Sequence, residues 1–340
     1  MRDRATLSAY FLARTKWGTA ARVTIAGDAS NRRYERLTRS DNKTAILMDA
    51  PPEKGEDTAP FIGITNHLRA LNLSAPRILE KDTANGFLLL EDLGDDLFAR
   101  VMAADPTLEE VLYKAAIDVL LHLHNAPPSN VAPYDSDAMT QMASLSFDWY
   151  QKGALGHCNE TAKSAFQSEF HTALAPLDDR IDVLIQRDYH AENLIWLPKR
   201  HGVARVGLLD YQDAMAGHRA YDLMSILQDA RRFVSPEIAR SMMAYYIEKS
   251  GVENTQFRAD YALLGLQRNL RILGGFSRLS LAYGKPQYID LIPRVWKHIQ
   301  ANLQHPDLQD ISSLIAKSMP FPSPEILRKI NDQCATIPIP

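Results

Sequence analysis

The sequence predicts an α+β fold of two lobes, in which a five-stranded antiparallel sheet comes first and a larger, mainly helical lobe follows. Three observations support this prediction. Short runs of alternating or apolar residues, separated by turn residues, fill the chain up to about residue 93. From residue 107 the apolar residues recur at three- and four-residue steps. Two further apolar runs, at residues 183–185 and 206–209, interrupt the helical part and flank a polar loop.

The first lobe is predicted to contain one helix before its strands. Residues 5–16 have the spacing of an amphipathic helix. The strands are expected at residues 22–26, 34–37, 44–49, 75–80 and 86–94. Small residues at 27–31 form the tip of the first hairpin, and such a tip lets backbone N–H groups approach phosphate oxygens. We place the boundary after residue 93, so that residues 1–93 and 94–340 form the two lobes.

The second lobe is predicted to be mostly helical. A helix begins near residue 108 and is stopped by the two prolines at 127 and 128, after which a loop and a short helix fill residues 129–145. A long helix is expected at residues 258–283. The Pro-rich stretch 320–340 is predicted to be a surface wrap or a frayed tail.

Composition narrows the class of protein. The chain has 340 residues, of which 46% are hydrophobic and 23% charged, values that are typical of a soluble globular protein. The net charge is -3 and the chain has no block of Lys or Arg, so nothing favours nucleic acid or anionic lipid as a partner. We expect no membrane segment, no signal peptide and no obligate protein partner. The two cysteines, Cys158 and Cys334, lie far apart, as suits a reducing cytoplasm.

The polar loop at residues 186–193 carries the candidate catalytic residues. Asp188 and Asn193 lie in this loop, and Asp210 follows the next apolar run. Phosphoryl transfer needs one carboxylate that accepts the proton of the attacking hydroxyl, and an amide oxygen and a second carboxylate that hold Mg²⁺. These three residues occur in the order that this chemistry uses. The alternative is that they are ordinary loop residues, because Asp and Asn side chains readily hydrogen-bond nearby backbone.

Several stretches make the sequence resemble a known family, the aminoglycoside phosphotransferase superfamily of small-molecule kinases. They are DYHAEN at 188–193, LDYQDA at 209–214 and GHRAYDL at 217–223. Within the superfamily, the closer resemblance is to the N-acetylmuramate/N-acetylglucosamine kinases, which act at the anomeric hydroxyl of cell-wall amino sugars. That resemblance rests on GDASNRRY at 27–34, MDAPP at 48–52 and QRNLRILG at 267–274, and it covers about residues 7–303.

The resemblance implies a two-lobed protein-kinase-like fold that uses ATP and Mg²⁺. It makes residues 1–93 the nucleotide-binding lobe and residues 94–340 the catalytic and substrate-binding lobe. Asp188 would be the catalytic base, and Asn193 and Asp210 would hold the metal. The residues expected at the nucleotide are Ser30, Asn31, Arg32 and Arg33 at the phosphates and the main chain of Glu91 and Leu93 at the adenine. The expected product is the sugar α-1-phosphate, formed in the cytoplasm during peptidoglycan recycling.

One departure from the superfamily concerns the phosphates. The third strand usually carries a lysine that contacts them, but here Met48 stands at that place, and the predicted helix at 60–71 lacks the glutamate that would pair with it. Arg32 or Arg33 is expected to supply the cation, since arginine can hold phosphate through two hydrogen bonds. Both cannot face the nucleotide, because successive residues of a strand point to opposite faces. The alternative is that they are solvated strand residues.

The acceptor sugar is expected near basic residues of the second lobe. Arg231, Arg268 and Arg271 are candidate substrate-binding residues, because N-acetylmuramate bears a lactyl carboxylate that arginine binds well. A cationic aminoglycoside would instead require acids. His190 and Asp222 are expected to support the catalytic loop. The alternative for the arginines is a solvated helix face.

Two rival functions remain open at this stage. The first is another small-molecule kinase of the superfamily, acting on an aminoglycoside, choline or homoserine. The second is a catalytically silent nucleotide-binding module, which the missing strand lysine makes conceivable. The presence of Asp188, Asn193 and Asp210 together argues against the silent module.

Overall fold

The structure, a computed structural model, describes residues 3–25 and 31–338 of the chain. Its α-helices are α1 (Arg4–Ala13), α2 (Ala59–Ala70), α3 (Phe98–Ala104), α4 (Glu109–Leu123), α5 (Ser136–Leu145), α6 (Lys152–Leu155), α7 (Glu160–Leu174), α8 (Ala220–Leu227), α9 (Pro236–Ser250), α10 (Asn254–Leu281), α11 (Ile292–Asn302), α12 (Gln309–Ser318) and α13 (Pro324–Asp332). A π-helical turn, Ser146–Gln151, joins α5 to α6. The helical character predicted from residue 107 onward is confirmed.

The strands form one larger and two smaller sheets. They are β1 (Ala21–Ile25), β2 (Arg33–Thr38), β3 (Thr44–Asp49), β4 (Ile78–Asp82), β5 (Phe87–Glu91), β6 (Val183–Ile185), β7 (Leu194–Trp196), β8 (Val206–Leu208) and β9 (Met215–Gly217). The five-stranded sheet has the order β1-β2-β3-β5-β4, and every neighbouring pair is antiparallel. The predicted α+β fold with its five-stranded antiparallel sheet is therefore confirmed. The pairs β6–β9 and β7–β8 form two-stranded antiparallel sheets.

The chain divides into two compact units. The first contains residues 1–123 and 191–214, and the second contains residues 124–190 and 215–340. The first unit groups the described part of residues 1–93 with residues 94–123 and 191–214, and the boundary after residue 93 stays a prediction. The polar loop that carries the candidate residues runs through the point at which the chain passes from the second unit to the first, between His190 and Ala191.

In the first unit, one face of the five-stranded sheet packs against α1. Phe11 of this helix stacks on Phe87 of β5 with ring centroids 5.8 Å apart. The strand residues buried on this face have odd numbers, as Ala45, Leu47 and Leu89 illustrate. Because side chains alternate along a strand, the even-numbered residues face the other way, and it is on that second face that the candidate site lies.

The hairpin formed by β7 and β8 belongs to the first unit, although more than a hundred residues separate it from the sheet in sequence. Gly207 pairs with Ser74, and Ile195 pairs with Leu97. The side chain of Ser74 also donates a hydrogen bond to the carbonyl of Ala204 at 2.7 Å. These contacts hold the segment that carries Asn193 and Asp210 against the N-terminal part of the same unit.

In the second unit, the long helix α10 is the central element. It is buried for much of its length and packs against α5, the π-helical turn and α11. Gly274 allows the closest of these approaches, because a Cβ atom at this position would lie 2.2 Å from the carbonyl carbon of Leu145. This packing fixes the positions of Arg268 and Arg271, which lie on the same helix.

Of the two alternatives predicted for the C-terminal stretch, a surface wrap or a frayed tail, the frayed tail is wrong at residues 324–332, which form α13. Ser323 caps this helix by accepting a hydrogen bond from the N–H of Ile326 at 3.3 Å, and Pro324 occupies the first helical position. Both residue types favour the start of a helix, and Ile330 anchors the helix by complete burial. Among the described residues, the structure contains no helix that is long and apolar enough to cross a membrane.

Candidate active site

The first unit contains a cavity of about 650 Å³ on the face of its sheet opposite α1. Its lining includes Tyr34 and Arg36 of β2, Ile46 of β3 and Leu90 of β5, all of them even-numbered residues. The β7–β8 segment contributes further residues to the lining, among them Asn193 and Asp210. A partly apolar cavity of this size with a few convergent polar groups is typical of a small-molecule or cofactor site.

Asn193 and Asp210, which the sequence nominates as metal ligands, lie together in this cavity. The Asn193 amide donates to an Asp210 carboxylate oxygen at 3.4 Å. Asp210 has a φ of 56°, in the left-handed region that residues other than glycine rarely adopt. A backbone conformation of this kind is often found at functional sites, where the surrounding structure maintains it.

The donor set at this place fits Mg²⁺. The Nε2 of Gln212 lies 2.8 Å from an Asp210 oxygen and 3.4 Å from an Asp213 oxygen, so a group of partial positive charge already bridges the two carboxylates. Magnesium binds through one or two protein oxygens and completes its shell with water and phosphate. The described residues hold no cluster of three or more His, Cys, Asp or Glu side chains suited to a metal, and Mg²⁺ does not require one.

The residues predicted at the phosphates fall in different places. Arg32 lines the cavity, whereas Arg33 is an exposed residue that pairs with Asp49 of β3 in the sheet register. Asn31 is exposed, and its side chain donates to the carbonyl of Lys54 at 3.2 Å. Ser30 lies outside the described residues. Arg32 immediately precedes β2 and lines the cavity, whereas Arg33 is the first residue of the strand and is not part of the lining.

At the other end of the cavity, the segment after β5 is held by ion pairs. Arg36 donates to Asp92 at 2.7 Å and to Asp95 at 2.8 Å. Glu91 and Leu93, the predicted adenine contacts, both line the cavity. The N–H of Glu91 donates to the carbonyl of Arg77 at 2.8 Å, so a main-chain contact from Glu91 to a base would have to use its carbonyl oxygen.

Asp188, the predicted base, lies in the second unit among arginines. The Nη2 of Arg271 approaches its carboxylate at 3.5 Å. Burial alone would raise the pKa of Asp188, but Arg271 and then Arg268, His190 and Arg187 counteract it, so that the pKa is lowered. Asp188 is therefore ionised at neutral pH, as an acceptor of a proton must be.

Asp222 holds the backbone just before Asp188. Its carboxylate accepts hydrogen bonds from the N–H groups of Gln186 at 2.6 Å and Arg187 at 3.0 Å. Arg187 has a φ of 69°, and these two hydrogen bonds maintain the turn that this conformation requires. Burial raises the pKa of Asp222 to about 7, while the two N–H donors favour its ionised form.

His190 follows Asp188 by two residues and contacts Arg231. Its Nε2 lies 3.2 Å from an Nη1 of Arg231, and because arginine can only donate, Nε2 is the acceptor. Burial lowers the pKa of His190 to about 4, so the imidazole is neutral. His190 is thereby suited to position Arg231 rather than to take a proton from a substrate.

Arg268 is the most deeply buried of the candidate substrate-binding arginines. It is 2% exposed, and its Nε and Nη1 have no hydrogen-bond partner among the residues that the structure describes. Nearby His298 also has a buried Nε2 without a partner in that part of the chain, and burial followed by the charge of Arg268 lowers the pKa of His298 to about 4. A buried guanidinium with unsatisfied donors is a ready receptor for an anion.

Sequence reasoning missed two residues of the cavity, Glu56 and Arg36. Glu56 pairs with Arg32 at 2.8 Å, although it precedes α2 instead of lying within it. No pattern in the sequence around Glu56 indicates this contact, because the contact depends on how the loop before α2 folds back. For Arg36 a signal existed, since it lies two residues beyond Tyr34 on the same strand face.

Comparison with known proteins identifies the family. Residues 22–261 match the phosphotransferase enzyme family. An N-acetylmuramate/N-acetylglucosamine kinase of Caulobacter vibrioides is 36% identical over 94% of this chain and 97% of that protein. A protein of the same name from Neisseria meningitidis serogroup B is 32% identical over 81% of this chain and 83% of that protein.

Solved structures show the same fold at low sequence identity. A microcompartment-associated aminopropanol kinase is similar with a TM-score of 0.60 and 12% identity, over 91% of this chain and 98% of that one. A choline/ethanolamine kinase family protein from Mesorhizobium loti has a TM-score of 0.57 and 13% identity, over 96% and 99% of the two chains. The family that the sequence motifs indicated is thus confirmed, and the chain belongs to the phosphotransferase enzyme family, among the relatives of the N-acetylmuramate/N-acetylglucosamine kinases.

Proposed function

We propose that this protein is an ATP-dependent kinase that phosphorylates the anomeric hydroxyl of N-acetylmuramate, N-acetylglucosamine or both, and releases the sugar α-1-phosphate. Four curated relatives bear the name N-acetylmuramate/N-acetylglucosamine kinase, the first of them at 36% identity. The reaction would take place in the cytoplasm and return cell-wall sugar to the nucleotide-sugar pool. It requires no nucleic acid, membrane or protein partner.

In this proposal the two units supply different parts of the chemistry. Asp188 accepts the proton of the anomeric hydroxyl as the oxygen attacks the γ-phosphorus and the bond to the β-phosphate oxygen breaks. Asn193 and Asp210, with Asp213, would hold Mg²⁺, which when bound neutralises charge on the phosphates. Arg32 contacts the phosphates, and the main chain of Glu91 and Leu93 contacts the adenine. Positioning and charge neutralisation then account for most of the catalysis.

The cationic environment of Asp188 is the observation that carries the choice of acceptor. Arg271 lies 3.5 Å from its carboxylate, and Arg268 holds buried donors that have no partner among the described residues. A carboxylate on the acceptor would satisfy those donors, and N-acetylmuramate carries one. An aminoglycoside or choline is cationic and would be repelled here, so these rival substrates are disfavoured.

A panel of acceptors tests the proposal. Purified protein is incubated with ATP, Mg²⁺ and one of N-acetylmuramate, N-acetylglucosamine, an aminoglycoside or choline, and the product is identified by ³¹P NMR. We expect an α-1-phosphate from the amino sugars and none from the cations. Phosphorylation of the aminoglycoside alone, or ATP binding without product from any acceptor, would overturn the assignment.

Replacing Arg268 tests the receptor for the carboxylate. Arg268→Met keeps the length of the side chain and removes its charge. We expect KM for N-acetylmuramate to rise by about tenfold or more, because one charge-assisted contact is lost, and KM for N-acetylglucosamine to change little. Arg278→Met, an exposed position of the same helix, is the matched control. An equal rise for both sugars would contradict a carboxylate contact.

A further inference from the structure

Glu56 makes two hydrogen bonds at the edge of the first unit's cavity. Its carboxylate accepts from the Nε of Arg32 at 2.8 Å and from the backbone N–H of Asn31 at 3.1 Å. The Arg32 and Glu56 side chains are each only 12% exposed. An ion pair that is largely withdrawn from water is screened much less than one on the surface, so its geometry is well defined.

The Arg32–Glu56 pair lies in the lining of the cavity, where it can act on a bound ligand. Arg32 and Glu56 line the cavity together with Asp210 and Asp213, the acids proposed to bind the metal. Burial raises the pKa of the Tyr34 hydroxyl, Arg32 counteracts it, and the charges of Asp210 and Glu56 also act on this group. Glu56 binds the Nε of the Arg32 guanidinium in this lining.

Neither β3 nor α2 contributes a charged residue to the cavity lining that the structure describes. On β3, Ile46 faces the cavity and Met48 is fully buried. Helix α2 contains neither Asp nor Glu. The basic residues of the described cavity lining are Arg32, which pairs with Glu56, Arg36, which is engaged by Asp92 and Asp95, and Arg100.

We propose that Glu56 is a positioning residue that holds the guanidinium of Arg32 toward the nucleotide's phosphates. This inference rests on the proposed function only in taking a nucleotide as the ligand of the cavity. Glu56 also accepts a hydrogen bond from the N–H of Asn31. Its effect therefore depends on the phosphates of the ligand and not on the base.

The test compares ligands that differ only in their phosphates. Binding of ATP with Mg²⁺ and of adenosine to the full-length protein is measured by calorimetry, for the wild type and for Glu56→Gln. We expect the variant to lose about tenfold in ATP affinity, the loss of one charge-assisted contact, with adenosine affinity unchanged. KM for ATP should rise with it, while KM for the sugar stays the same. Glu56→Asp should recover part of the loss.

Two further variants make the test specific. Glu53→Gln makes the same change three residues earlier, on a side chain that is 51% exposed, and should leave both affinities unaltered. In an Arg32→Ala background, Glu56→Gln should cause little further loss, because two residues that act through one contact are not additive. Additive losses would overturn the proposal.

A structural role for Glu56 would give a different result. If Glu56→Gln weakens adenosine and ATP equally, or lowers only the Tm, then Glu56 does not position Arg32. Failure of the proposed kinase function is seen separately, since it appears as absence of product in the wild type. The ratio of ATP to adenosine affinity tests Glu56 whether or not a sugar is phosphorylated.

Discussion

In the cavity of the first unit, Arg32 lies against Glu56, and Arg36 lies against Asp92 and Asp95. In the second unit, Arg271 approaches Asp188, and Arg268 and Arg187 also lower the pKa of this carboxylate. The first arrangement balances each guanidinium with a carboxylate, so its arginines are held in fixed orientations. The second leaves an excess of positive charge around one acid, which keeps that acid ionised and favours an anionic ligand.

Under the proposed function, this difference in charge pattern would let one chain bind two anionic ligands, the nucleotide and the sugar, each at the pattern that suits it. A nucleotide brings its own magnesium, so the first unit can contain acids and needs its cations only to be well oriented. An amino sugar with a carboxylate brings no counter-ion, so the second unit must provide the compensating charge. Exchange of these charge patterns is expected to lower affinity for both ligands.

The largest effect is expected from Asp188→Asn. An amide cannot accept the proton of the attacking hydroxyl, so kcat should fall by about 10³-fold, within the usual range for the loss of a general base. Affinity for ATP, measured by calorimetry, should be nearly unchanged. Asp179→Asn, on an exposed residue, is the control. A variant that loses ATP affinity as strongly as turnover would show that Asp188 does not act at the acceptor.

Stability tests whether the arginine-bearing helix is fixed by close packing. Gly274→Ala would bring a Cβ to 2.2 Å from the backbone of Leu145, and it should destabilise the protein by about 1–3 kcal/mol, as overpacked sites do. Gly275→Ala meets no heavy atom within 4 Å, and it should stabilise by up to ~1 kcal/mol because alanine favours a helix. Thermal unfolding of both variants measures the difference. Equal Tm values for the two variants would mean that α10 and the backbone of Leu145 can move apart to accommodate the added Cβ.

The smallest effect is expected on the pH dependence of kcat/KM. Arg271 is the foremost of the cations that lower the pKa of Asp188, so Arg271→Gln should raise that pKa. A carboxylate with a raised pKa takes up its proton at higher pH, and the acidic limb of kcat/KM should therefore move upward, with little change at neutral pH from this cause. Arg278→Gln, exposed on the same helix, should leave the limb in place. A downward or absent shift for Arg271→Gln would contradict the assignment.

Much of the first unit followed from the sequence, since period-two alternation and turn residues determine a sheet of short strands locally. The same alternation predicted that Arg32 and Arg33 could not both face the nucleotide. It did not predict the contact of Glu56 with Arg32, because no local rule states where a loop side chain will lie after the chain folds back. That contact is set by tertiary packing.

In the second unit, spacing along one helix was informative and composition was misleading. Arg268 and Arg271, one turn apart, were expected on one face, and both act on Asp188. The depth at which Arg268 is buried could not be read from spacing, because it depends on the elements that cover α10. The Pro-rich tail was predicted to be a surface wrap or a frayed tail, and its helix was missed although Ser323 and Pro324 are the residues that begin it.

The first unit is discontinuous in sequence, and this has a consequence for biosynthesis. Its sheet is complete by Glu91, but the hairpin that carries Asn193 and Asp210 is separated from it by residues 124–190. A ribosome must therefore translate through Ala214 before this unit can close, and until then the surfaces around Ser74 and Leu97 lack their partner strands. A nascent chain of this length exposes unpaired backbone that chaperones recognise, so any fragment ending at residue 123 would be a poor candidate for independent expression.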